Sequence, residues 1–358
     1  MEKTKIMWLA IFAFSIVLGI ASILYLAHKI GKHGLLIALA AAAVCVLVFD
    51  VTNTIVIVIH FTVFLLLGDL VSLVVKTASH KDIFRGSAVV SAVLCVIYLV
   101  IGWILMHGLW ETDYLVGTRK EVGGLKIAQI ADSHVGCGFS GKGFGSRLEK
   151  IAASNPDILV ITGDFVDDST KKQDMIDACK ELGKFRTKYG IYFCFGNHDR
   201  GYYSDERRGY GGDELIAELE KNGVVVLEDE SVLIDGRFYV VGRADAGYGA
   251  SNRKSIADLI APLDKNKYMI VLDHQPTDYE AEEAAGVDLV LSGHTHGGQL
   301  WPLEFVQPLI SENDNVRGLV SRGNTDFIVT DGISDWAVKF KTGCRSEFNL
   351  IKVSQVRY

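Results

Sequence analysis

Four long apolar runs in the first 110 residues set the strongest limit on what this chain can fold into. They cover residues 6–27, 34–52, 54–75 and 87–107. A helix needs about 20 apolar residues to cross roughly 30 Å of hydrocarbon, and the runs are of that order. The first is too long for the apolar centre of a secretory signal, lacks a convincing small-residue cleavage site, and is followed by more runs of its kind. Packed as core helices of a soluble domain, these runs would demand more cover than the rest of the chain supplies. Residues 1–110 are therefore read as a transmembrane region of about four helices, with the lipid bilayer as its partner. Asp50 and Asn53 stand just before the third run, and His60 and Asp69 lie within it. Ionisable groups are costly in a bilayer, and these four are read as interfacial or as bonding between helices.

Charge divides the chain at the same place. Of 36 Lys and Arg and 43 Asp and Glu, the first 110 residues hold 7 bases and 4 acids, and the remainder 29 bases and 39 acids. An apolar, slightly basic front precedes an acidic back with no basic stripe to neutralise a run of phosphates, which excludes a nucleic-acid footprint. The six cysteines follow neither a disulfide framework nor a zinc spacing. Nothing in the sequence identifies a protein partner.

After a linker over 111–124, residues 125–358 change to short β-rich runs alternating with helical patterns, the mark of an α/β domain. Helices are expected over Phe144–Ser154, Lys172–Tyr189 and Asp213–Asn222. Five strand-like runs end in oxygen- or imidazole-bearing residues: Asp132 and His134, Asp164, Asn197, His274, and His294 with His296. One strand-end Asp or His is ordinarily a cap. Seven such groups, none a thiolate, exceed one tetrahedral site and suit two divalent ions of the Mn, Fe, Zn or Co type. Ligand sites in open α/β sheets lie beyond the carboxyl ends of strands, where these residues fall.

The ordered set Asp132-Ser133-His134, Gly163-Asp164-Phe165-Val166-Asp167, Gly196-Asn197-His198-Asp199, His274 and Gly293-His294-Thr295-His296 resembles the calcineurin-like metallophosphoesterase family. With the apolar front it further resembles the branch of transmembrane proteins with a metallophosphoesterase domain. The resemblance implies an α/β/β/α four-layer sandwich. It implies that Asp132, His134 and His296 hold one metal, that Asn197, His274 and His294 hold the other, and that Asp164 bridges them. Water activated between the ions is the implied nucleophile. His198 is implied to stabilise the phosphoryl group or protonate the leaving oxygen, with Asp199 orienting it. Asp167 stands where purple acid phosphatases carry a tyrosine ligand, which argues against a tyrosinate–iron centre.

Tyr202, Tyr203, Arg207 and Arg208, in the loop after the third motif, and Arg345 are candidate substrate contacts. Asp168 and Asp273 are read as outer supports of the ligands or as surface carboxylates. The expected function is hydrolysis of a phosphomonoester or phosphodiester, with a lipid-linked or envelope-associated substrate suggested by the anchor. The competing reading is a membrane-bound sensor that holds metal without turnover, and the retained His198 and Asp164 argue against it. The loops after the first and third runs carry Lys29, Lys32, Lys76, Lys81 and Arg85, against Lys3, Lys5, Arg119 and Lys120 on the other side. That bias puts the catalytic domain outside the cytoplasm at the cell membrane.

Overall fold

The computed structural model describes residues 2–31, 33–80, 84–203, 205–247 and 253–355. Two compact units result, Met1–Trp103 and Ile104–Tyr358. The apolar unit contains α1 (Glu2–Ile30), α2 (Gly34–Val48), α3 (Val51–Ser79) and most of α4 (Phe84–His107), matching the four apolar runs. Among the described residues, Val51–Ser79 and Gly86–His107 are long and apolar enough to cross a membrane, while Ala13–Lys29 and Gly34–Val48 are shorter apolar helices. The second run ends before residue 52 because Asp50 caps α3, its carboxylate accepting the Asn53 amide at 2.8 Å. Within this unit, Asp69 of α3 accepts from Tyr25 of α1 at 2.7 Å and pairs with Lys29. His60 instead bonds within its own helix, to the Val56 carbonyl at 2.7 Å. Lys32 and Lys81 lie outside the described residues.

The second unit begins with β1 (Trp110–Thr118), β2 (Leu125–Ile130), α5 (Phe144–Ala152), β3 (Ile158–Thr162) and α6 (Lys172–Leu182). It continues through β4 (Ile191–Cys194), α7 (Asp205–Arg208), α8 (Gly212–Lys221), β5 (Val224–Val226), β6 (Glu230–Ile234) and β7 (Phe238–Gly242). Next come α9 (Ile256–Ile260), β8 (Tyr268–Leu272), α10 (Tyr279–Ala285) and β9 (Leu289–Ser292). It closes with α11 (Leu303–Ile310), β10 (Gly318–Arg322), β11 (Thr325–Val329) and β12 (Glu347–Gln355). Two six-stranded sheets form, in the orders β1-β12-β2-β3-β4-β5 and β10-β11-β9-β8-β7-β6. The parallel strands β3, β4, β8 and β9 are buried along their whole length, which is why they read as unbroken apolar runs.

Three apolar clusters define the layers. Ile127, Val160 and Cys194 of one sheet meet Phe238, Ile270 and Leu291 of the other. The first sheet's outer face packs Leu159 and Phe193 on Phe144, Met175 and Leu215 of α5, α6 and α8. The second's packs Val271 and Val290 on Leu259 of α9 and Tyr279 of α10. This is the α/β/β/α sandwich implied by the resemblance.

Two expectations need correction. The stretch 111–124 is not simply a linker: most of it is β1, paired in parallel with β12 from Trp110–Glu347 to Thr118–Gln355. Its outer half alternates between exposed and half-buried positions, so no apolar run announces it. The helix expected over Lys172–Tyr189 stops at Leu182, and Gly183 caps it.

Candidate metal centre

Strands β2, β3 and β4 lie side by side in one sheet and β8 and β9 in the other, so their carboxyl ends open on the same crevice. The chain must turn sharply as it leaves them. Asp132, His134, Asp164, His294 and His296 all sit at positive φ, between 37° and 72°. Non-glycine residues held there carry strain that the surrounding fold must overcome, a pattern concentrated at functional sites. The motif glycines permit the close approach of these turns. A Cβ on Gly163 would come within 2.6 Å of the Gly196 nitrogen, and one on Gly196 within 2.3 Å of Asp164 Oδ1.

Two clusters of inward-facing ligand atoms result: Asp132, His134 and His296, and Asp164, His274 and His294, each with its atoms within 4.8 Å of one another. Asn197 joins the second, its Oδ1 lying 3.1 Å from His274 Nε2 and 2.8 Å from His294 Nδ1. Asp164 Oδ2 is 3.2 Å from His274 Nε2 and 3.7 Å from His134 Nε2, and so faces both clusters. The imidazoles are aimed from behind. His274 Nδ1 meets the Thr162 carbonyl at 2.8 Å, His134 Nδ1 faces Asp167 at 3.3 Å, and His296 Nδ1 faces Asp335 at 3.1 Å. Outer partners of this kind fix which ring nitrogen is left for a metal. His134 Nε2 is buried with no hydrogen-bond partner, and the donor set is entirely oxygen and nitrogen, so the residues fit a pair of divalent cations.

Electrostatics agree with that fit. Burial pushes Asp132 up to about 6, His274 opposing and Asp164 adding to the shift. Burial and the neighbouring His274 take His294 down to about 3. For His134 burial opposes protonation, but Asp167 and Asp164 outweigh it and raise the group to about 9. Four imidazoles and two carboxylates are thus competing for protons on lone pairs that a cation would take up.

Residues 125–298 match the family model for the calcineurin-like phosphoesterases. A metallophosphoesterase of Aquifex aeolicus is 31% identical over 226 residues, covering 60% of this chain and 80% of that protein. This chain belongs to the calcineurin-like phosphoesterase family. A Campylobacter jejuni metallophosphoesterase is 29% identical over 232 residues, 64% of this chain and 59% of its own length. A Danio rerio protein named as a transmembrane protein with a metallophosphoesterase domain is 28% identical over 258 residues, 66% of this chain and 54% of that one. The chain therefore spans less than two thirds of these last two relatives.

Around this centre the remaining candidates separate. His198 stands beside the clusters, its ring 5.1 Å from His134 and 4.9 Å from Tyr202, and burial lowers its pKa. Tyr202 reaches the site, where Asn197 Nδ2 donates to its hydroxyl at 2.6 Å. Tyr203 is exposed and Arg207 lies over its ring at 4.6 Å, which places both on the outer surface of the loop.

Asp199 does not bond to His198 as expected. Its carboxylate accepts four backbone amides, those of Asp164, Phe165, Val166 and Gly196, at 2.7–3.0 Å. It clasps the β3 and β4 turns together. Arg208 is also structural: buried, it donates to the carbonyls of Tyr210 and Asp199. Arg345 donates to Thr112 and lines a 230 Å³ cavity with Arg317, Leu105 and Cys344; no candidate ligand lines it, although Cys344 bonds to the His296 carbonyl.

Asp168 receives the amides of Tyr202 and Tyr203, and Asp273 pairs with Arg243 and Arg253, so both act as outer supports. Sequence reasoning missed Asp335 and Trp336, whose ring lies 5.9 Å from His198. Their one signal is a position a few residues beyond the apolar strand β11.

Proposed function

We propose that this chain is a membrane-anchored phosphoesterase working with two divalent ions of the Mn, Fe, Zn or Co type, its substrate a phosphomonoester or phosphodiester. The observation that carries this reading is the pair of ligand clusters meeting at Asp164. Bound ions supply Lewis acidity and lower the pKa of water at the site. Asp132, His134 and His296 would hold one ion and Asn197, His274 and His294 the other, with Asp164 facing both clusters. His198, whose amide donates to Asp164 Oδ1 at 2.9 Å, holds a half-buried imidazole beside the clusters, where it would meet the phosphoryl group. Its ring N–H can stabilise a phosphoryl oxygen or protonate the leaving oxygen. Tyr202 borders the same space and orients the ester.

The apolar helices and the transmembrane relative support an anchor in the cell membrane. They also support a lipid-linked or envelope-associated substrate. The Lys and Arg bias of the loops supports a catalytic unit outside the cytoplasm. A cysteine replacing the exposed Leu115, in a background without native thiols, should then react with an impermeant thiol reagent in intact cells. Labelling only after lysis would reverse the orientation. Turnover of purified protein on mono- and diesters with added Mn²⁺, lost on chelation, tests the activity. Metal binding with no turnover on any ester would favour the sensor reading.

A further inference from the structure

Helix α11 is amphipathic in the wrong sense for a water-facing helix. Its polar residues Glu304 and Gln307 are half-buried, and Gln307 Oε1 is fully enclosed. Its apolar residues point away from the protein: Leu309 is 82% exposed, Ile310 72% and Phe305 65%, and Trp301 just before the helix is 58% exposed. No residue of α11 is buried. A soluble surface helix puts these faces the other way round, and so dense a patch marks a surface that something covers.

The neighbours of α11 identify the cover. Arg317 Nη1 lies 3.4 Å from Glu304 of α11, and Arg317 lines the 230 Å³ cavity together with Arg345 and Leu105. Leu105 is in the last turn of α4, the turn that packs within the catalytic unit and ends a helix apolar enough to cross a membrane. The outward apolar face is thus joined through one arginine to the point where the apolar segment enters this unit. Arg317 is already paired with Glu304 and Asp331, so the guanidinium that this point offers to the anionic phosphates of a lipid surface is that of Arg345, which donates to the neutral Thr112 hydroxyl. The face is also fixed to the metal centre. A Cβ on Gly298, two residues beyond His296, would lie 2.6 Å from Glu304 Cα, so the first turn of α11 rests on the loop that carries a ligand.

We propose that Trp301 and α11 lie in the lipid–water interface and present the metal centre to phosphoesters borne on membrane lipids. This inference rests on the anchored-phosphoesterase reading and adds the surface through which the substrate arrives. An interfacial helix is expected to bury its apolar side to the headgroup–acyl boundary.

The test places a photo-cross-linking amino acid at Leu309, or in a second variant at Phe305, in the full chain reconstituted into phosphatidylcholine–phosphatidylglycerol vesicles. A control variant carries it at Lys184, an exposed side chain two residues past the end of α6. Lipid adducts are expected at 309 and 305 and none at 184, with loss of the 309 adduct when Phe305 and Ile310 are changed to Asp. Protein that floats with vesicles after an alkaline carbonate wash, yet gives no lipid adduct at 309 or 305, would overturn this proposal and leave the anchor standing. Chain-to-chain adducts at those positions would overturn it in favour of a second copy covering the face. Protein that the wash strips from the vesicles would overturn the anchor as well.

Discussion

The two units treat buried and half-buried polar groups in opposite ways. In the apolar unit Asp69 takes a hydrogen bond from Tyr25 and a charge from Lys29, His60 is turned to a carbonyl of its own helix, and Asp50 closes a cap. These groups are matched by nearby partners, and what they achieve is helix position. In the catalytic unit the outer ring nitrogens face Thr162, Asp167 and Asp335, the first in a hydrogen bond and the other two beside carboxylates, but the inner side is a crowd of acceptors facing one another. A buried acceptor without a donor is costly. A fold that holds several of them together, on strained turns, is built for a cation. Satisfaction reads as architecture, and shared frustration reads as function.

The comparison breaks most visibly at Asp164. Asp164→Asn should lower kcat/KM by about 10³-fold or more, the scale of removing a principal electrostatic contact, and should release metal measurable by elemental analysis. Chelation should do the same to the unaltered chain, with recovery on adding Mn²⁺. His198→Ala should keep its metal and lose roughly 10²–10⁴-fold in rate, and loss of metal would move His198 into the ligand set.

Asp199→Ala tests whether a carboxylate beside the site belongs to the architecture. It leaves four buried amides without an acceptor, each costing on the order of 1 kcal/mol or more, so thermal or urea unfolding should show a stability loss of about 3 kcal/mol or more. A variant as stable as the parent but slow would show that Asp199 acts on the reaction instead. Asp335→Asn, behind His296, should weaken metal affinity by about 10–100-fold, read by metal titration. The smallest effect is expected from Asp69→Asn, about 0.6–2 kcal/mol of helix association in detergent with kcat unchanged. A large drop in kcat there would mean that the two units share more than a chain.

The ligands were legible because each follows an apolar strand whose last residues change character abruptly, as from Ile130 to Asp132 or from Leu291 to His294. The layers were less so. β1 mixes Glu111, Thr112 and Asp113 with Tyr114 and Leu115, and its partner strand lies more than half the chain away, so no local pattern could show the pairing. Asp199 and Arg208 look like site residues in sequence because they adjoin one. Their contacts with backbone from other turns exist only after folding. α11 carries an apolar pattern whose direction a sequence cannot give. Only the burial of Glu304 and Gln307 reveals which side faces out.

The pairing of β1 with β12 also sets an order of events during synthesis. β1 follows α4 after two residues, so it leaves the ribosome with the last apolar helix. Its partner is made much later: Thr112 bonds to Glu347, 235 positions on. Until then β1 is a strand with an open edge, and loop closure over that distance makes it among the slowest contacts to form. The strand nearest the apolar segment is therefore among the last to be secured. A nascent chain stalled before β12 would carry a nearly complete metal centre beside an unpaired edge, a state that quality-control proteases and chaperones can recognise.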